Sequence, residues 1–334
     1  MSLKSKICLL FCGGSGIITD HGVLTVKKPF DMKSWLQAIP ELGLIANIDS
    51  VFVFGGDASE MEPALWIKLA REIHKRANQY DGFVVTHGVD TMIYTAAMMS
   101  FMLQPHSKPI IFTGSPLAPD QNEEKQELSG LITDYKTLGV KANLINAVQV
   151  ATMNCGEVGI MFGNRLTRAT QTIKSDTPSF NFFDGYKDGV IGRVDFGIRL
   201  LANAHPRFKQ KVRLLDKLEE HVCLMQLYPG VSPELMENMI SNGCRGIVVR
   251  SFNTNLFPDS YKPILQKAYR QNIPIIAYNP FALESKKKKR EYILVNNMTF
   301  ETTFVKFMWA LGQTKDVGKL RILMWQDGEI EAFK

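Results

Sequence analysis

The chain has 334 residues, 45% of them hydrophobic and 22% charged, a mixture that excludes disordered and collagen-like classes and supports packed cores. At roughly 100–200 residues per domain, the length points to two domains. The formal charge of +6 is too modest to mark a nucleic-acid-binding protein, and neither a recognised nucleic-acid module nor interleaved aromatics accompany the basic residues.

In chain order, the first apolar run follows Lys4 and Lys6 and turns at Gly13-Gly14, so it reads as a short buried strand and not as a secretory signal. Runs at 7–11, 50–54, 82–86, 109–113 and 158–162 have strand length and β-branched or aromatic content. Between them, 35–42, 63–80, 91–103 and 128–150 carry apolar residues at helical spacing. This alternation is the pattern of an α/β domain with a mostly parallel sheet flanked by helices. After a Lys/Arg/Glu-rich connection at 202–219, a second set follows: strands at 222–227, 246–250 and 275–278, and helices at 232–242, 260–271 and 299–311, the first opened by a Ser232 cap. The expected organisation is a larger N-terminal domain over 1–201, the 202–219 linker, and a smaller C-terminal α/β domain over 220–334.

No uncharged apolar segment reaches the ~18 residues of a membrane span. Cys8, Cys12, Cys155, Cys223 and Cys244 form no C-x-x-C pair, so neither a disulfide framework nor a zinc site is expected, and a reducing, cytoplasmic setting is. The basic run at 286–290 suits an anion patch or a solvated loop, the latter being the plainer reading.

Ligands of parallel sheets bind beyond the carboxyl ends of the strands. The segments to examine there are Cys12-Gly13-Gly14-Ser15-Gly16, Gly55-Gly56-Asp57-Ala58-Ser59-Glu60, His87-Gly88-Val89-Asp90-Thr91 and Gly114-Ser115-Pro116. The first lacks both the G-x-G-x-x-G spacing and a G-K-[ST] ending, so a nucleotide site is not expected. Ser15 reads as a turn residue or a substitute nucleophile, His87 as a backbone-bonded strand end, and Thr91 as a helix cap.

Taken together, Cys12-Gly13-Gly14-Ser15, His87-Gly88-Val89-Asp90-Thr91, the 108–115 segment and Asn164-Arg165-Leu166 resemble the N-terminal domain of bacterial type I (cytoplasmic) L-asparaginases. Pro229-Gly230, Arg250-Ser251-Phe252 and Met298-Thr299-Phe300-Glu301 resemble segments of that family's C-terminal domain. The resemblance implies hydrolysis of L-asparagine or a related amide, with no cofactor or metal. It puts the family's nucleophilic threonine on Cys12, its second threonine on Val89, its substrate-binding aspartate on Asp90, its lysine on Lys174, its substrate-gripping serine on Ala58 and a loop tyrosine on Val23. The expected catalytic set is therefore Cys12, Asp90 and Lys174. The expected substrate contacts are Gly13, Ser15, Asp57, Ala58, Ser59, Gly88, Val89 and Asp90. The plainer alternative for Asp90 and Lys174 is a buried ion pair of structural value only.

A cysteine can attack an amide carbonyl if its proton is removed. Valine at 89 deprives Lys174 of its proton-transfer partner, a loss on the order of 10²–10⁴ in rate. Two classes of function follow: an amidohydrolase using Cys12, or a non-catalytic member of the fold that binds an amino acid, an amide or a protein partner. The resemblance also implies a homodimer or a dimer of dimers, and the large apolar residues of 304–311 offer a surface for it.

Overall fold

In a computed structural model of the chain, residues 4–19, 22–114, 130–175, 182–252, 255–282 and 289–325 are described. They form two units that meet in sequence between Leu214 and Leu215. The N-terminal unit contains strands β1 (Lys6–Cys12), β2 (Ile17–Thr19), β3 (Gly22–Leu24), β4 (Asn47–Phe54), β5 (Gly82–His87), β6 (Leu103–Gln104) and β7 (Ile110–Thr113). Its later strands are β8 (Val158–Phe162), β9 (Arg165–Arg168), β10 (Thr172–Lys174), β11 (Phe183–Gly185), β12 (Val190–Val194), β13 (Ile198–Leu200) and β14 (Arg213–Leu214). Its helices are α1 (Asp31–Gln37), α2 (Leu42–Ile45), α3 (Pro63–Arg76), α4 (Met92–Met102) and α5 (Gly130–Thr152).

The main sheet runs β13-β12-β9-β8-β7-β5-β1-β4. The five strands from β8 to β4 are mutually parallel, and β9, β12 and β13 extend the sheet by antiparallel pairing. Burial on both faces explains why β1, β5, β7 and β8 read as continuous apolar runs instead of alternating ones. On β1, Ile7, Leu9 and Phe11 pack with Trp35 of α1 and with Leu144, Ala147, Val148 and Ala151 of α5. Strand alternation puts Cys8, Leu10 and Cys12 on the opposite face. Each fully buried Leu or Ile here contributes about 1.5–3 kcal/mol relative to leaving it in water.

Residues 202–214, expected as a connecting stretch, are hydrogen-bonded into this unit. His205 O accepts from Gly156 N at 2.8 Å, and the Arg207 guanidinium donates to Met153 O at 2.8 Å. The Arg207 side chain, reaching Ala151 O and Met153 O at the end of α5, anchors this segment to the N-terminal unit.

The C-terminal unit contains β15 (Val222–Gln226), β16 (Gly246–Arg250), β17 (Ile275–Tyr278) and β18 (Ile293–Val295), all parallel and in that order. Its helices are α6 (Pro233–Ser241), α7 (Lys262–Arg270), α8 (Phe300–Gln313) and α9 (Val317–Trp325). Ser232 caps α6 by accepting from Glu234 N, and Thr299 caps α8 by accepting from Thr302 N at 3.2 Å. Val305, Phe307, Met308, Trp309 and Leu311 of α8 are buried. Most of the apolar surface expected there for a partner copy is therefore already covered, and Phe304 is half-buried. Among the described residues, no helix is long and apolar enough to cross a membrane.

Candidate active site

From β1 the chain steps to β4 on one side and then to β5 on the other. Such a change of direction opens a crevice at the carboxyl ends of the two central strands, where ligands of open α/β sheets bind. The chain leaving β1 crosses this edge through Gly13 and Gly14, with φ of +80° and +56°. A Cβ on Gly14 would stand 2.1 Å from the His87 carbonyl oxygen. Glycine is needed there both for its left-handed conformation and for the closeness of the neighbouring backbone. Gly13 N donates to Phe54 O at 3.0 Å, tying the turn to β4.

Cys12, expected as a catalytic residue at this edge, is buried, with its side chain only 1% exposed. Burial pushes the thiol up to about 12, with Lys68 opposing. At neutral pH such a thiol is ionised on the order of once in 10⁵ molecules.

Across the β1–β5 ladder, Cys12 pairs with His87 on the same face. The fully buried His87 ring is lowered to about 4 by desolvation, a shift that the Gly88 hydrogen bond opposes. Nδ1 lies 2.8 Å from Gly88 O. A carbonyl only accepts, so Nδ1 carries the proton and Nε2 holds a lone pair, without a hydrogen-bond partner among the described residues. Moving a proton from Cys12 to His87 would cost on the order of 10 kcal/mol before the mutual attraction of the resulting ions is counted. The strand ends are thus a neutral, packed pair.

The charged part of the site stands outside this layer. Lys174 Nζ donates to Asp90 Oδ1 at 3.1 Å, with Asp90 69% and Lys174 43% exposed. The residues lie 84 positions apart, Asp90 in the turn after β5 and Lys174 at the end of β10. The lysine also sits 5.4 Å from the Phe182 ring centroid, beside an edge-packed set of Phe162, Phe182 and Phe183. The alternative of a buried ion pair does not hold here, since both ends reach water.

After β4, Asp57 caps a short 3-10 helix, Ala58–Glu60. Its carboxylate accepts from Ser59 Oγ at 2.6 Å and Ser59 N at 2.8 Å, which hold it below the usual carboxylate range. Ala58 is buried, and a Cβ added to Gly88 would meet its Cβ at 2.4 Å. Thr91 occupies the N-cap position of α4, but its hydroxyl donates to Ala58 O at 2.8 Å instead of capping the helix. That bond fastens the 57–60 turn to the 87–91 turn.

Gly13, Gly14, Gly56, Ala58, Gly88 and Asp90, with Lys174, therefore border one edge, and Val89 sits half-buried among them. Ser15 is turned elsewhere. Its hydroxyl accepts from Val26 N at 2.9 Å and its carbonyl from Trp35 Nε1 at 2.6 Å, an arrangement that fits a turn residue. Val23 lies exposed on β3, while Ser115 and Pro116 lie outside the described residues.

Two residues with no signal in the sequence belong to this edge. Thr86 and Thr113 are register partners on β5 and β7, and neither buried hydroxyl has a hydrogen-bond partner among the described residues. Only strand register brings them side by side.

Residues 6–206 match the family model for the asparaginase N-terminal domain, and 221–324 match that for the glutaminase/asparaginase C-terminal domain. The chain belongs to the asparaginase family. It is 31% identical over 340 aligned positions to the D subunit of glutamyl-tRNA(Gln) amidotransferase from Pyrococcus horikoshii, covering 94% of this chain and 74% of that protein. The corresponding protein of Thermococcus kodakarensis is 29% identical over 337 positions, with coverages of 94% and 73%. The fold is also that of L-asparaginase I from Vibrio cholerae, with a TM-score of 0.79 at 23% identity over 97% of this chain and 98% of the other. The L-asparaginase of Thermococcus kodakarensis gives 0.77 at 22%, with the same coverages. The asparaginase family is thus established by sequence, while the narrower likeness to the bacterial cytoplasmic type rests on fold alone. The two amidotransferase subunits are archaeal relatives of this chain by sequence.

Proposed function

We propose that the N-terminal unit binds a small amino-acid amide of the asparagine type at the carboxyl edge of β1 and β5 and hydrolyses it slowly. The observation that carries this reading is the water-accessible Asp90–Lys174 pair at the crevice edge. Asp90 suits the α-amino group of the ligand, and Lys174 suits proton transfer at the departing ammonia. Backbone N–H groups of the 87–90 turn serve as oxyanion donors, with Gly13, Asp57, Ser59, Gly88 and Val89 as further contacts. Cys12 is the nucleophile available, and its protonated, buried thiol is the reason for slowness.

A second reading, a binding module without turnover, is favoured by the same thiol and by the missing hydroxyls at Val89 and Ala58. Because the relatives are named as subunits of an amidotransferase, glutamine is tested beside asparagine. Ammonia release and calorimetric binding are measured together with asparagine, glutamine and simple dipeptide amides. Asp90→Asn is expected to abolish binding, and Cys12→Ala to abolish ammonia release while binding persists. Tight binding without ammonia from the unaltered protein selects the second reading. Absence of binding to every amide sinks both.

A further inference from the structure

The amide chemistry leaves unused two thiols in the C-terminal unit. Cys223 lies on β15, the edge strand of its sheet, and Cys244 lies in the turn between α6 and β16. Gly246 pairs with Val222 in the β15–β16 register, and the Cys244 thiol donates to the Gly246 carbonyl at 2.9 Å. A sulfur on that carbonyl stands one residue along the ladder from Cys223. Both side chains pack into the same apolar cluster with Met225, Met236 and Ile247, where the Cys244 thiol has Cys223 as a neighbour.

The two differ in access. Cys244 is buried and Cys223 half-buried, whereas Cys8, Cys12 and Cys155 are all buried. An attacking thiolate needs solvent and an oxidant within reach, which singles out Cys223. Desolvation, with the Cys223 contact second, pushes the Cys244 thiol up to about 12, so it keeps its proton until a partner sulfur is activated.

We propose that Cys223 and Cys244 form a two-electron redox site that peroxide converts to an intrachain disulfide. In the first step the Cys223 thiolate attacks a peroxide oxygen. An S–O bond forms, the O–O bond breaks, and hydroxide leaves to take up the proton that Cys223 released. In the second step the Cys244 sulfur attacks the Cys223 sulfur of the sulfenic acid. The S–S bond forms, the S–O bond breaks, and the departing hydroxide takes the Cys244 proton as water. Two thiols and one hydrogen peroxide give one disulfide and two waters, with sulfur oxidised and peroxide oxygen reduced. The link joins edge strand β15 to the entry of β16 and closes a loop around α6, which restricts the unfolded chain.

The test treats the full chain with hydrogen peroxide, then counts free thiols and maps linked peptides by mass spectrometry without reductant. The expected result is loss of two thiols, a single linked peptide pair containing Cys223 and Cys244, reversal by a thiol reductant, and a raised melting temperature. Cys244→Ala should leave Cys223 as a sulfenic acid that a dione reagent traps. Cys223→Ala, which keeps the strand apolar, should lose no pair of thiols. Linkage of any other pair, oxidation of Cys223→Ala at the rate of the unaltered chain, or Cys223 and Cys244 left free while other cysteines react would overturn the assignment.

Discussion

Two carboxylates of the N-terminal unit meet a cation in opposite ways. Glu157 is 2% exposed, and Arg168 grips it through Nε and a terminal nitrogen at 2.7–3.3 Å. His205 N and Nδ1 each add a contact at 3.1 Å, and Arg168 further donates to Asn203 O at 2.6 Å. Asp90 accepts one bond from Lys174 and stands mostly in water. Pairs of the second kind contribute about 0–1 kcal/mol, whereas removing one partner of a buried pair costs about 3–5 kcal/mol. The difference teaches where each charge acts: Glu157 holds β8, β9 and the 203–205 segment together, while Asp90 carries little of the fold and keeps its charge accessible from solvent.

The sharpest way to break this comparison is Glu157→Gln, which strands the Arg168 charge. Chemical denaturation should show a loss of about 3–5 kcal/mol. A loss below about 1 kcal/mol would mean that Arg168 finds another anion and that the buried pair is no more structural than the exposed one.

A somewhat smaller effect is expected from His87, buried like Glu157 but neutral. Its folded value of about 4 lies below the 6.5 of the unfolded chain, so the unfolded state takes up the proton first as pH falls. Stability should therefore be full above pH 6.5 and decline between pH 6.5 and 4, by about 3 kcal/mol in all. Denaturation curves of the unaltered chain and of His87→Gln across that window give the answer: the part of the slope due to His87 should vanish in the variant. Equal slopes would show that the imidazole is solvated.

The smallest effect on stability should come from Asp90→Asn, below about 1 kcal/mol by the same denaturation measurement. A larger loss would move Asp90 into the structural class of Glu157 and remove the ground for treating the ion pair as a ligand site.

Much of the fold was legible before any tertiary contact was known. β8, β16 and β17 occupy the spans their apolar runs indicate, and Ser232 caps its helix as a side chain that competes for backbone N–H groups should. Strands β9, β12 and β13 were not legible. Arg165, Arg168, Arg193 and Arg199 interrupt their apolar content, and they hold their place by antiparallel pairing on the end of the sheet. Strand β18 is three residues long and α9 follows α8 closely, so neither offers enough periodicity to stand out.

At the candidate site the division is similar. Position after apolar strands placed Gly13, Ala58, Gly88 and Asp90 as a set, because short glycine-rich turns there must fall at the carboxyl edge of a parallel sheet, whereas Lys174 was indicated only by the resemblance to L-asparaginases. Residue identity alone also determined that Val89 and Ala58 lack hydroxyls. Whether Cys12 is exposed, which atom Thr91 bonds, that Thr86 lies beside Thr113 and that Cys223 meets Cys244 were decided only by strand register and by what packs over each strand end. Ionisation depends on the solvent and charges around a group, and those neighbours come from segments far apart in sequence, so the thiol of Cys12 and the ring of His87 acquired their protonation states from the tertiary structure.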